Sequence, residues 1–222
     1  HLYLPGFISV NKKTKKIDAD EKWHKFREDF INNNTNKNTY IIFYGDYNYY
    51  FEKRLKFDQD NIVKYETPLI YAKKENVNLS YQKRKILLKN KIQSTLYDLS
   101  IDKNVILLYP SPIAPEKILD RIEKNKKKIF NDKKFYLKDN INYTTQFYRE
   151  YNSEIIELFD NISSKNIHKI ALEKTFCPQK KCIFYDNNFA YFFDTIHPSY
   201  EGSKKINNLI MKIIKKINSE SN

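Results

Sequence analysis

Asp194 and His197, in the run Asp194-Thr195-Ile196-His197 followed by Pro198-Ser199-Tyr200-Glu201-Gly202, are the residues whose types and spacing could do chemistry. An acid three residues before a histidine, on a turn that feeds a helix, can hold the imidazole in one tautomer while its other nitrogen faces a substrate. That supplies the base and its orienting acid, two members of a hydrolytic triad. The same spacing has a structural alternative, because an acid or a following serine near a helix start often accepts backbone amides as a cap. Two other segments offer partners: the turn Gly45-Asp46-Tyr47 and the hydroxyl of Ser111 in Pro110-Ser111-Pro112.

Positioning these residues falls to alternating apolar runs and amphipathic stretches. Trp23, Phe26, Phe30 and Ile31 share one helical face after an irregular, lysine-rich leader, so residues 1–38 are expected to be a leader and first helix packing on a domain of residues 39–222. Tyr40 to Tyr44 is a continuous apolar run ending at Gly45 and reads as a buried strand. A helix is expected over residues 48–57 and a strand over 61–66. Leu79, Ile86, Leu87, Ile92, Leu96 and Leu99 predict a long amphipathic helix, and Val105 to Tyr109 is the clearest strand, stopped by Pro110.

Beyond a lysine-rich loop or frayed helix around 124–134, Phe147, Ile155, Leu158, Phe159 and Ile162 mark a helix, and Ile167 to Leu172 a strand. Ile206, Leu209, Ile210, Ile213, Ile214 and Ile217 stripe a C-terminal helix. Strands alternating with helices argue for an α/β fold, a three-layer α/β/α sandwich with a mainly parallel central sheet. Such sheets gather their sites at the carboxyl ends of the strands, so Gly45-Asp46-Tyr47 and Pro110-Ser111-Pro112 are expected to border one crevice.

Glycine occurs only three times in 222 residues, at Gly6, Gly45 and Gly202, so the two inside candidate motifs are expected to mark tight turns or close approaches. The formal charge of +13 comes from lysines spread along the chain rather than gathered into one motif, which reads as a solvated basic exterior, with a polyanionic cell-surface polymer or phospholipid head groups as the alternative partners. No nucleic-acid-binding module is recognisable, so nucleic acid is not an expected partner. Cys177 and Cys182, with four residues between them, can close a short loop, and neither a second pair nor a nearby histidine completes a metal set; no metal and no cofactor are expected. No apolar run reaches the length of a membrane span, and a chain opening on His1 rather than methionine is expected to be an excised domain.

The order of strand, Gly-Asp-x turn, strand, Pro-x-Pro, cysteine loop and Asp-x-x-His resembles the SGNH hydrolase superfamily. More narrowly it resembles the SGNH domain fused C-terminally to acyltransferase-3 membrane proteins, which O-acylate bacterial surface polysaccharides. Tyr109-Pro110-Ser111-Pro112, Phe176-Cys177, Cys182, Phe193-Asp194 and His197-Pro198-Ser199 carry the similarity. The resemblance implies that His197 is the general base, that Asp194 orients it, and that backbone amides around Gly45, Asp46 and Tyr47 form an oxyanion hole. It also favours a Cys177–Cys182 disulfide and an oxidising compartment. The implied location is the periplasmic or extracytoplasmic face of the bacterial inner membrane. The implied partners are a membrane acyltransferase portion on the same or another chain, an acyl donor and a cell-surface glycan acceptor.

Where the family places its serine nucleophile this chain has Tyr47. Three readings stay open: a retired site whose fold binds or positions the acceptor glycan, a reacting Tyr47, or another hydroxyl such as Ser111 reaching His197. Tyr44 and Tyr49 are candidate aromatic faces for a sugar ring.

Overall fold

The computed structural model describes residues 8–10, 29, 39–51, 55–58, 61–64, 69–71, 78–114, 144–186 and 189–220. The described residues include a three-stranded parallel sheet of β2 (Tyr40–Phe43), β6 (Asn104–Leu108) and β7 (Ile167–Ile170), in the order β2-β6-β7. β2 pairs with β6 in the register Ile41↔Val105 and Phe43↔Leu107. On the other side the Val105 amide donates to Asn166 O at 2.7 Å and the Tyr109 amide to Ile170 O at 2.9 Å, equal advances that make this pair parallel too. The expected α/β class with a parallel sheet is therefore borne out.

A strand flanked on both sides needs apolar residues throughout, and Val105, Ile106, Leu107 and Leu108 of β6 are all buried. Among the described residues β2 lies at the edge of the sheet, and its Ile42 is exposed, so the buried strand expected at 40–44 is a partly exposed one.

By contacts the chain divides into two compact units, residues 1–54, 66–107 and 154–169 in one, and 55–65, 108–153 and 170–222 in the other. In the first unit β1 (Ile8–Val10) and β5 (Leu69–Tyr71) form an antiparallel pair. Helix α1 (Tyr81–Ser100) buries Leu88, Ile92, Thr95 and Leu96, a stripe at three- and four-residue steps. Ile86, expected on that face, is exposed, so the buried stripe runs a step to one side of the one expected.

The helix expected over 48–57 is instead one short 3-10 turn, Tyr47–Phe51, followed by strand β3 (Leu55–Asp58). Tyr81 Oη donates to Phe51 O at 2.9 Å and ties the turn to α1. The strand expected at 61–66 is β4 (Asn61–Lys64), which pairs antiparallel with β3 in the second unit instead of joining the parallel sheet. Over so few residues the alternation of Leu55 and Phe57 suits a strand as well as a helix, and the pairing of Phe57 with Ile62 makes it a ribbon, which is why periodicity misassigned it.

The single helix expected around Phe147 to Ile162 is two. Helix α2 (Thr145–Tyr151) starts where Thr144 Oγ1 accepts from the Phe147 amide at 3.0 Å, and α3 (Ser153–Asp160) follows after a break at Asn152. Buried Asn152 directs both its backbone amide, at 3.1 Å, and its side-chain amide, at 2.8 Å, onto Tyr148 O. β7 ends at Ile170, short of the expected Leu172, and a one-turn helix α4 (Glu173–Phe176) leads into the cysteine loop. The C-terminal stripe is realised as α5 (Tyr200–Glu220), which buries Gly202, Ile206, Ile210 and Ile217. The expected first helix near Trp23 and the lysine-rich stretch at 124–134 lie outside the described residues.

Candidate active site

Within the second unit the Asp-x-x-His segment is a narrow turn. The Phe193 amide donates to His197 O at 2.8 Å, and Phe192 and Pro198 face each other in an antiparallel bridge. Asp194 organises the residues between: its Oδ1 accepts from the amides of Ile196 at 2.9 Å and His197 at 2.8 Å. A short acidic side chain accepting amides two and three residues ahead is the local bonding that favours Asp in turns. The other oxygen, Oδ2, lies 2.7 Å from His197 Nδ1. Nδ1 is thereby the donor to the carboxylate, and Nε2 points away with no hydrogen-bond partner among the described residues.

The imidazole is 67% exposed and the carboxylate 44%. Partial burial pushes the Asp194 carboxyl up. The amides of Ile196 and His197, and then the imidazole, outweigh that and hold it below its ordinary value. The acid is thus ionised at neutral pH and fixes the ring by one charge-assisted bond.

Asp194 does not cap the helix. Ser199 does, because its Oγ accepts from the Gly202 amide at 3.2 Å while its carbonyl takes the first helical bond from Ser203 at 2.8 Å. The same Ser199 hydroxyl donates to Ala190 O, and the Ser199 amide donates to Tyr191 O at 3.0 Å. Both ends of the turn are therefore pinned to residues 190–193. The helix start approaches so closely that a Cβ on Gly202 would lie 1.9 Å from Tyr191 O, which gives this glycine the close approach expected of it. Gly45 differs: a Cβ there would meet nothing within 4 Å.

Beneath the turn lies an aromatic cluster. Phe176 packs at 5.2 Å from Phe192 and 6.0 Å from Tyr191, and Phe184 lies edge-on to Phe192 at 6.0 Å. Cys177 and Cys182 form a disulfide that closes the intervening loop, and the Ile183 amide donates to Phe176 O at 2.6 Å. Tyr191 Oη donates to Asp186 at 2.8 Å, and partial burial followed by that bond pushes the phenol up to about 12.

The Pro-x-Pro segment reaches the same turn, because the Ala114 amide donates to Thr195 O at 2.8 Å. Pro110 O accepts from the buried Tyr148 hydroxyl at 2.7 Å, which fixes the segment's start. Ser111 lies between these two anchors, half-buried and already engaged by neighbours. Sequence reasoning had no means of finding the Ala114–Thr195 bond, since backbone partners far apart in the chain leave no residue-type signal.

Gly45, Asp46 and Tyr47 follow β2 in the first unit. Asp46 and Tyr44 are half-buried and engaged, and the Tyr49 side chain lies outside the described residues. Tyr47 is only 5% exposed, and its ring meets Phe159 edge-on at 4.9 Å. Its hydroxyl has no hydrogen-bond partner among the described residues. Burial pushes that phenol well above its ordinary value, with Tyr50 and Tyr44 adding to the effect. A neutral, buried phenol is a poor nucleophile.

Among the described residues no group of three or more His, Cys, Asp or Glu side chains is gathered that could hold a metal ion. No helix among them is long and apolar enough to cross a membrane. A family model described as the SGNH domain (fused to AT3 domains) matches residues 3–212. No curated protein and no solved structure matches the chain.

Proposed function

From the premise that this chain belongs to the family of SGNH domains fused to AT3 domains, we propose that it is the extracytoplasmic domain of a bacterial O-acyltransferase, acting on a hydroxyl of a cell-envelope polysaccharide. The observation that carries this reading is the 2.7 Å contact of Asp194 with His197 Nδ1 on an exposed turn. That contact leaves Nε2 as a base open to a hydroxyl.

In this reaction Nε2 takes the proton of a sugar hydroxyl as its oxygen bonds to the acyl carbonyl carbon of the donor. The tetrahedral adduct then expels the donor's leaving group, which receives the proton from the imidazolium. Asp194 stabilises the imidazolium between the two steps without taking the proton itself. Direct transfer of this kind needs no serine in the Gly-Asp-x turn, and the burial of Tyr47 supports a core role for that residue. Ser111 is the hydroxyl on this chain for a two-step variant, since its segment is bonded to the turn through Ala114 and Thr195.

The test is hydrolysis of p-nitrophenyl acetate by the purified chain beside His197→Ala and Ser111→Ala. A drop of roughly 10²-fold or more in His197→Ala is expected for loss of a general base. Equal rates in wild type and His197→Ala reject the catalytic reading. A Ser111→Ala loss as deep as that of His197→Ala selects the two-step variant.

A second reading is favoured by Tyr47 itself: a ring filling the family's serine position suits a module that holds the acceptor glycan while the membrane portion transfers the acyl group. Glycan binding without any His197-dependent hydrolysis supports it.

A further inference from the structure

The exposed aromatic residues of this protein are not scattered. Among the residues whose side chains are described every phenylalanine and tyrosine is buried or half-buried except three, Phe189, Phe193 and Tyr200, at 51%, 64% and 80% exposure. All three fall within twelve residues that contain the Asp194–His197 pair. Single exposed apolar residues need no explanation, but a concentration of large rings in one segment does.

Hydrogen bonds bring the three segments together. Phe193 is tied to His197 by its amide at 2.8 Å. Ser199, the neighbour of Tyr200, is bonded through its hydroxyl to the carbonyl of Ala190, the neighbour of Phe189. Phe189 is itself fixed by Asp186, whose Oδ1 accepts the Phe189 amide at 2.9 Å and whose own amide donates to Phe189 O at 2.9 Å. Rings carried on a stapled turn lose little conformational freedom when a ligand binds, since an aromatic side chain has only two rotatable bonds to fix. The adjacent Phe192 meets the core demand of this stretch with a fully buried ring, so burial does not account for Phe193.

We propose that Phe193 and Tyr200, with Phe189 at the margin, are the acceptor-binding subsite of this domain and stack on a pyranose ring. A pyranose with axial C–H bonds on one face presents positively polarised hydrogens to the negative face of an aromatic ring, and its hydroxyls point outward to solvent. Stacked beside His197, such a ring carries its hydroxyls next to the base. This assignment rests on the acyl-transfer reading for its place in a reaction, but sugar binding is measurable without any reaction.

The test titrates the whole chain with cellotetraose and with chitotetraose, following saturation transfer from protein to sugar and amide chemical shifts by NMR. Binding of at least one of the two is expected, with saturation strongest on one C–H face. Phe193→Ala and Tyr200→Ala are expected to weaken it at least about five-fold, as for loss of an aromatic contact. Phe193→Tyr and Tyr200→Phe are expected to restore affinity to within about two-fold on the same scale. Ile101→Ala, which removes an exposed apolar residue in the first unit, is the control and should bind as wild type does. Binding of neither sugar overturns the proposal, as do equal affinities in wild type and both alanine variants whose melting is normal. Ring-dependent binding together with His197-independent ester hydrolysis rejects the acyl-transfer reading and leaves this subsite standing.

Discussion

The backbone of Tyr191 and the α-carbon of Gly202 are in such close approach that no side chain fits between them, since a Cβ on Gly202 would stand 1.9 Å from the Tyr191 carbonyl oxygen. That approach sets where α5 begins and therefore where the return limb of the Asp194–His197 turn ends. Gly202→Ala gains about 1 kcal/mol of helix propensity but must displace backbone, a strain of about 1–3 kcal/mol or more. A net loss of stability in urea unfolding is expected, with weakened ester hydrolysis at pH 7. Unchanged midpoint and activity together would show that α5 shifts without disturbing the turn.

Tyr47→Phe is expected to be neutral or stabilising by up to about 1 kcal/mol. The substitution removes a buried hydroxyl without a partner among the described residues and keeps the ring against Phe159. Tyr47→Ser, which writes the family's serine into the motif, is expected to lose roughly 3–5 kcal/mol because it empties a core position. Denaturant midpoints of the two variants decide it. A Tyr47→Phe variant that folds normally but loses hydrolysis would return the phenol oxygen to the mechanism.

The parallel sheet, α1 and α5 were legible in sequence because each combines a long or uniform apolar pattern with a clear stop. β6 is four buried aliphatics ended by Pro110, and the Ile206 to Ile217 stripe repeats at helical spacing over several turns. Leu55 to Asp58 was not legible, because its pattern fits a helix or a ribbon equally and only its pairing with Asn61–Lys64 decides between them. The Asp194–His197 contact was readable because both residues lie in one turn. What fixes that turn was not, since Ser199 bonding Ala190 and Ala114 bonding Thr195 depend on backbone approaches that residue types do not announce.

Removing the Cys177–Cys182 disulfide by paired serine substitution is expected to cost roughly 2 kcal/mol, the loop-closure value for so short a loop. The effect should extend beyond stability. The loop holds Phe176 against Tyr191 and Phe192, which lie under the turn that carries His197. Amide hydrogen exchange across residues 190–199 is expected to quicken more than exchange in α1. Equal change in both regions would mean that the bridge stabilises the chain generally and does not position the turn.

Asp194→Asn keeps an oxygen for the amides of Ile196 and His197 but offers the imidazole no anion, so ester hydrolysis is expected to fall by up to roughly 10⁴-fold with little change in backbone. The pH dependence of stability supplies a check that does not need activity. Because the folded carboxyl is held below its ordinary value, its ionised form adds stability above the unfolded carboxylate value of about 3.9. That contribution is lost as pH falls through the lower folded value. The stability difference between wild type and Asp194→Asn should therefore shrink progressively below about pH 4. With the carboxylate 44% exposed, solvent screening keeps the whole effect modest. A difference that stays flat to pH 2 would mean that the bonds to Ile196, His197 and the ring do not distinguish the charged carboxylate from the neutral one.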